Sequence, residues 1–102
     1  MHIIQILLPL YDNEGNSFDS SKFERIRSEL TKKFGGMTAF RRSPAEGIWK
    51  EQGGQVHLDE IVIFEVMAER LDQDWWAGYR KTLEESFQQQ ELIIRATEFV
   101  QL

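Results

Sequence analysis

Cysteine is absent from this chain. Its absence excludes disulfides, thiolate nucleophiles, zinc–thiolate centres and iron–sulfur clusters, and it fits a reducing compartment. Basic runs are also missing, since no stretch of Lys or Arg exceeds two residues and the net charge is −5. Duplex nucleic acid and anionic membranes are therefore repelled on average, and no nucleic-acid partner is expected. Long apolar runs are lacking too. The opening "MHIIQILLPL" is too short to span a bilayer. It has neither a basic leader nor a small-residue cleavage site, so no membrane partner is expected and the chain reads as cytoplasmic. Only two prolines occur, and both mark breaks: Pro9 closes a first strand and Pro44 a second.

What remains is ordinary globular material, 41% hydrophobic and 28% charged over 102 residues, enough for one domain spanning 1–102 with a single core. Seven Phe, three Trp and two Tyr make either the core or an interface rich in aromatics.

Periodicity assigns the elements. Ile3 to Leu10 is apolar with Gln5 as its one polar interruption, as expected of a strand buried on both faces. "YDNEGNSF" follows as a turned loop. Its acids invite a calcium reading, but a 12-residue calcium loop wants Gly at position six and Glu at twelve. Counted from Asp12, Gly15 is fourth and Phe23 twelfth, so no metal is expected. Ser21 and Glu24 have the spacing of a capping box. Phe23, Ile26, Leu30 and Phe34 then recur at helical period, and Gly35 is placed to terminate the helix in the left-handed conformation. A phosphate loop opens a helix with Gly-Lys-Ser/Thr; these glycines close one. Met37 to Arg42 reads as a strand. Residues 47–51 and 55–58 read as a hairpin around "QGG". The stretch 55–68 is expected to form one long strand, bent or bulged near Asp59–Glu60. Asp72 or Asp74 caps a second helix, whose stripe Trp76, Tyr79, Leu83, Phe87 repeats the spacing of the first. Residues 92–99 form the last strand.

The order strand–helix–strand–strand–helix–strand predicts an α+β, ferredoxin-like βαββαβ fold. It has a four-stranded antiparallel sheet, both helices on one face, and an extra hairpin between strands 2 and 3. Alternation leaves the other face with Ile3, Gln5, Leu7, Ile61, Ile63, Glu65, Ile93, Arg95 and Thr97. So large an apolar face argues for a partner. A homodimer through this face is expected, or a ligand cavity at such an interface.

Glu65, an acid inside "IVIFEVM", is the leading catalytic candidate, with an interface ion pair to Arg95 as the structural alternative. His57 is the second, with Asp59 two residues on and able to orient its imidazole. Arg41 and Arg42 fall on opposite sheet faces, and one of them joins Gln5, Glu65 and Arg95. Arginine recognises carboxylate or phosphate bidentately, so a small anion is the expected ligand. Trp49, on the hairpin, and Tyr11, before the first loop, complete the candidate ligand-binding set of Gln5, Tyr11, Arg41, Arg42, Trp49 and Arg95. No cofactor is expected, and no nucleotide fingerprint or Ser-His-Asp order is present.

The layout resembles the dimeric α+β barrel group of the ferredoxin-like superfamily. More closely, "FGGMTAF", the "GIW" of residues 47–49 and "YRKTLEESFQQQELII" are similar to small bacterial proteins of unknown function that share "GG-T", "G-x-W" and "Y…F-x-Q-x" patterns, across about residues 11–95. The resemblance implies pairing of two sheets. It also implies a superfamily that holds monooxygenases without metal or flavin, muconolactone isomerases, dehalogenating and haem-linked enzymes, and ligand-sensing domains. Two functions stay open. One is a homodimeric structural, sensing or interaction module. The other is a cofactor-independent enzyme for a small anionic or aromatic molecule, with Glu65 or His57 accepting a proton and arginines holding the substrate.

Overall fold

The structure is a computed structural model that describes residues 1–42, 49–50, 56–57 and 60–102, with backbone alone described at 42, 49, 50, 56 and 57. The elements are β1 (His2–Pro9), α1 (Ser20–Phe34), β2 (Thr38–Arg42), β3 (Trp49–Lys50), β4 (Val56–His57), β5 (Ile61–Ala68), α2 (Gln73–Ser86) and β6 (Ile93–Glu98). The main sheet runs β2-β5-β1-β6 with every pairing antiparallel. This is the ferredoxin-like βαββαβ arrangement, and β3 and β4 pair as the extra hairpin.

Alternation along the strands creates the core. Ile4, Ile6 and Leu8 of β1 and Val62, Phe64 and Val66 of β5 point to one face. They meet Ile26 and Leu30 of α1 and Trp76, Leu83 and Phe87 of the α2 region. The two helical stripes thus lie on the same side of the sheet, as their period requires. Phe23 meets Phe64 edge-on at 6.4 Å between ring centroids. At the other end of the helix pair Phe34 stacks on Trp76 at 5.4 Å. Gly78 of α2 has open space where a side chain would stand, so no close helix packing requires it.

Within the stretch 55–68 the structure describes β4 (Val56–His57) and β5 (Ile61–Ala68). β4 pairs with β3, whereas β5 pairs with β1 and β2. The Glu60 carbonyl still accepts a hydrogen bond from Leu10 N at 3.2 Å, continuing the β1–β5 ladder past its last pair. The bend was expected near Asp59–Glu60, and Asp59, like Leu58, lies outside the described residues.

The start of α1 also differs from the capping-box expectation. Asp19 is the cap, and its carboxylate accepts the Ser21 N–H at 2.9 Å. Helix begins at Ser20, so Ser21 sits within the first turn and its own amide is the one requiring an acceptor. Asp72 caps α2 by accepting Trp75 N–H at 3.1 Å. Gly35 closes α1 at φ 82°, its N–H reaching Thr31 O at 2.8 Å.

The Ser21 backbone hydrogen bond, followed by the Ser21 side chain, lowers the pKa of Asp19 below its ordinary value. A depressed folded-state pKa gives stability present above the unfolded value of about 3.9 and lost as pH falls through the folded one. Asp19→Ala is therefore expected to lower stability at neutral pH and to flatten the acid limb of the stability profile below about pH 4. Urea titrations of both proteins from pH 2 to pH 7 check this; an acid limb of unchanged slope would refute it.

Candidate functional site

The strand register fixes what the face away from the helices carries. Gln5 of β1 pairs with Glu65 of β5 on one side and with Arg95 of β6 on the other. Glu65 in turn pairs with Thr38 of β2. One row therefore crosses all four strands as Thr38, Glu65, Gln5, Arg95. The next row is Phe40, Ile63, Leu7, Ile93.

Three members of the polar row are hydrogen-bonded in series. Gln5 Nε2 donates to Glu65 Oε1 at 2.8 Å. Arg95 Nε donates to Gln5 Oε1 at 2.8 Å. The polarity admits one orientation of the amide. A carboxylate only accepts and a guanidinium only donates, so the Gln5 NH2 must face Glu65 and its oxygen must face Arg95. Within the chain Glu65 and Arg95 do not pair directly, because β1 stands between their strands. The amide carries the connection instead. Glu65 Oε2 and the terminal nitrogens of Arg95 make no hydrogen bond among the described residues.

The surroundings are apolar. Phe40 is 45% exposed, Ile93 53% and Met67 57%. Leu7, Ile3 and Ile61 are half-buried. Ile63, in a central strand of the same face, is already 3% exposed in the single chain. A hydrogen-bonded polar row thus sits within an apolar face on which several large side chains remain open to water.

The other sequence candidates lie elsewhere. Arg41 pairs with Val62, a residue of the helix side, so it does not join the row. Arg42 takes the position opposite Ile61, on the face with the row, but its side chain lies outside the described residues. The side chains of Trp49 and His57 also lie outside them; their backbones are paired across the β3–β4 hairpin. Tyr11 is 44% exposed and bridges Ser17 at the base of the first loop. In that loop Asp12 accepts N–H bonds from Glu14 at 2.9 Å and Asn16 at 2.8 Å, which commits its Oδ1 to the turn. Among the described residues no group of three metal-binding side chains occurs. No helix among them is long and apolar enough to cross a membrane.

Two features escaped the sequence reading. Thr38 was not recognised as the end of the polar row, because its place depends on register between strands far apart in the chain. Arg80 of α2, with Gln73, lines a groove beside β6. Its signal was present: Gln73, Trp76 and Arg80 recur at +3 and +4, one helix face.

No family model and no curated protein matches the chain. Among solved structures it is similar to a phage SAM lyase in complex with S-methyl-5'-thioadenosine, with a TM-score of 0.58 at 19% identity. The match covers 95% of this chain and 80% of that one. At this identity the likeness concerns the fold.

Proposed function

We propose that the chain is a self-associating module whose open sheet face packs against the same face of a second copy. The observation that supports this reading is the Glu65–Gln5–Arg95 series lying within an apolar face that leaves Phe40, Ile93 and Met67 exposed. The face is self-complementary. With a twofold axis running along β1, β5 of each copy lies over β6 of the other. Glu65 Oε2 then meets the partner's Arg95, and Arg95 meets the partner's Glu65. One row on, Ile93 settles over the partner's Ile63, beside the partner's Phe40. Aligned sheets pack about 10 Å apart with interdigitating side chains, and a twofold contact repeats each favourable pair. The charged groups come to rest in reciprocal hydrogen bonds, which is the condition for burying them without a large desolvation cost.

Small-molecule work at this interface is the second reading. What favours it is the phage lyase of the same fold, which holds a nucleoside thioether. Here Glu65, or His57, would accept a proton and Arg95 would hold an anionic substrate.

The test is the native mass of the protein purified from its own host, before and after denaturation. Twice 12.0 kDa supports the twofold module. An additional small mass that denaturation releases supports the second reading. A clean monomer at micromolar concentration overturns the self-association.

A further inference from the structure

The charged row of the open face has a direction. Read from β5 to β6 it is Glu65, Gln5, Arg95, negative at one end and positive at the other. The rows on either side carry no charge: Phe40, Ile63, Leu7, Ile93 on one, and Met67, Ile3, Thr97 on the other. Arg42, which β2 brings to the same face, stands two rows away opposite Ile61. Among the described residues the ion pairs lie on the helices, and none includes Glu65 or Arg95.

Gln5 is what holds the row together. Its amide offers a donor to one neighbour and an acceptor to the other, at 2.8 Å in both cases. Turning the amide over exchanges the two. One side chain can therefore hold an acid on β5 and a base on β6, as here, or the reverse.

We propose that this row makes the association selective for a second copy of this chain in one register, an inference that rests on the twofold reading given above. Under that axis each Glu65 faces the partner's Arg95. A slide by one row sets Glu65 against the partner's Ile93 or the partner's Thr97 instead. Both carboxylates and both guanidiniums are then enclosed without an opposite charge, which is strongly unfavourable. A sheet of the same fold with other residues at these two positions meets the same penalty. The apolar rows supply area to any partner of the right shape. The charged row discriminates among partners through the mismatches it penalises.

Glu65→Arg and Arg95→Glu, each in the full chain, give the test. Alone, each variant sets like charges against one another at both ends of the row, and its homodimer should weaken at least about a hundredfold. In a mixture of the two, one copy carries two bases and the other two acids, so both contacts again join opposite charges. The heterodimer should form within about tenfold of wild-type affinity. Native mass spectrometry at micromolar concentration, with one variant isotope-labelled, separates homodimers from heterodimers, and circular dichroism checks each fold. Glu65 is half-buried whereas Arg95 is exposed. Glu65→Gln therefore replaces Glu65→Arg where the latter does not fold, and it should still prefer Arg95→Glu to itself. Wild-type dimers accompanied by variants that self-associate with unchanged affinity, or that show no preference for each other when mixed, would overturn the selectivity and leave the self-association intact. Wild-type monomers would overturn both.

Discussion

Phe40→Asp and Ile93→Asp are each expected to convert the proposed dimer to folded monomers, raising its dissociation constant at least about a hundredfold. A hundredfold is about 2.7 kcal/mol. Leaving one charge buried without its partner in an interface costs about 2–5 kcal/mol or more, so the charge penalty alone reaches that figure. The twofold axis doubles it, because each substitution appears twice in one interface. In the single chain neither change should be severe. Phe40 is 45% and Ile93 53% exposed, so an aspartate at either site stays in water once the copies part. Sedimentation or light scattering across a dilution series reads the dissociation constant, and circular dichroism checks the fold. A control on the opposite side, Lys32→Asp on the exposed face of α1, should leave the mass unchanged. Dimers that survive Ile93→Asp with unchanged affinity would refute the face-to-face arrangement.

Ile63 looks like an equally good probe from its place in the strand pattern, since alternation puts it on the same face. The structure separates it from its neighbours. At 3% exposure it is already buried within one chain, so Ile63→Asp would place an unpaired carboxylate inside the domain and unfold it. Insoluble protein from that variant would say nothing about assembly.

That contrast shows what one sequence carries. Period-2 alternation tells which residues share a face, because the pleat is a property of one strand. It predicted Gln5, Glu65 and Arg95 on one side of the sheet. How deeply a residue sits depends on how many strands flank its own, which is a property of the assembled sheet. β5 is flanked on both sides, whereas β6 is flanked only by β1. Ile63 and Ile93, alike in composition and alternation, therefore differ in burial. Strand order likewise decided that Glu65 reaches Arg95 through Gln5, since only the order puts β1 between them. Helix caps were legible in type and less so in place. Asp19 outranked Ser21 because the helix begins two residues sooner, a shift no local pattern distinguishes. The α2–β6 groove stayed hidden because its two walls lie on different elements, and helical spacing supplies only one of them.

The largest loss of stability is expected at Phe87. Phe87→Ala should cost about 3–5 kcal/mol, the range for removing a buried aromatic ring. That is a large part of the roughly 5–15 kcal/mol that holds a domain together. Phe87 is 0% exposed, and it joins parts distant in sequence. Its ring meets Phe18, in the segment before α1, edge-on at 4.9 Å, and Phe23 of α1 at 5.5 Å. Its own N–H reaches Leu83 O at 2.9 Å and closes the last turn of α2. Lys22 of α1 reinforces the junction, donating from Nζ to the Ser86 carbonyl at 2.6 Å. A cavity bounded by two helix ends and a loop collapses poorly, because filling it would require all three to move together. The outcome should therefore fall toward the upper end of the range, about 4–5 kcal/mol, with the melting midpoint lowered by about 16–40 °C at ~4–8 °C per kcal/mol. Phe87→Leu keeps most of the volume and should cost far less. Thermal and urea unfolding at one fixed protein concentration, so that association contributes equally, measures both. A loss below about 1 kcal/mol in Phe87→Ala would mean that the end of α2 can repack without the ring, and that the junction of α1 with α2 is held by the Phe34–Trp75–Trp76 cluster at the opposite end instead.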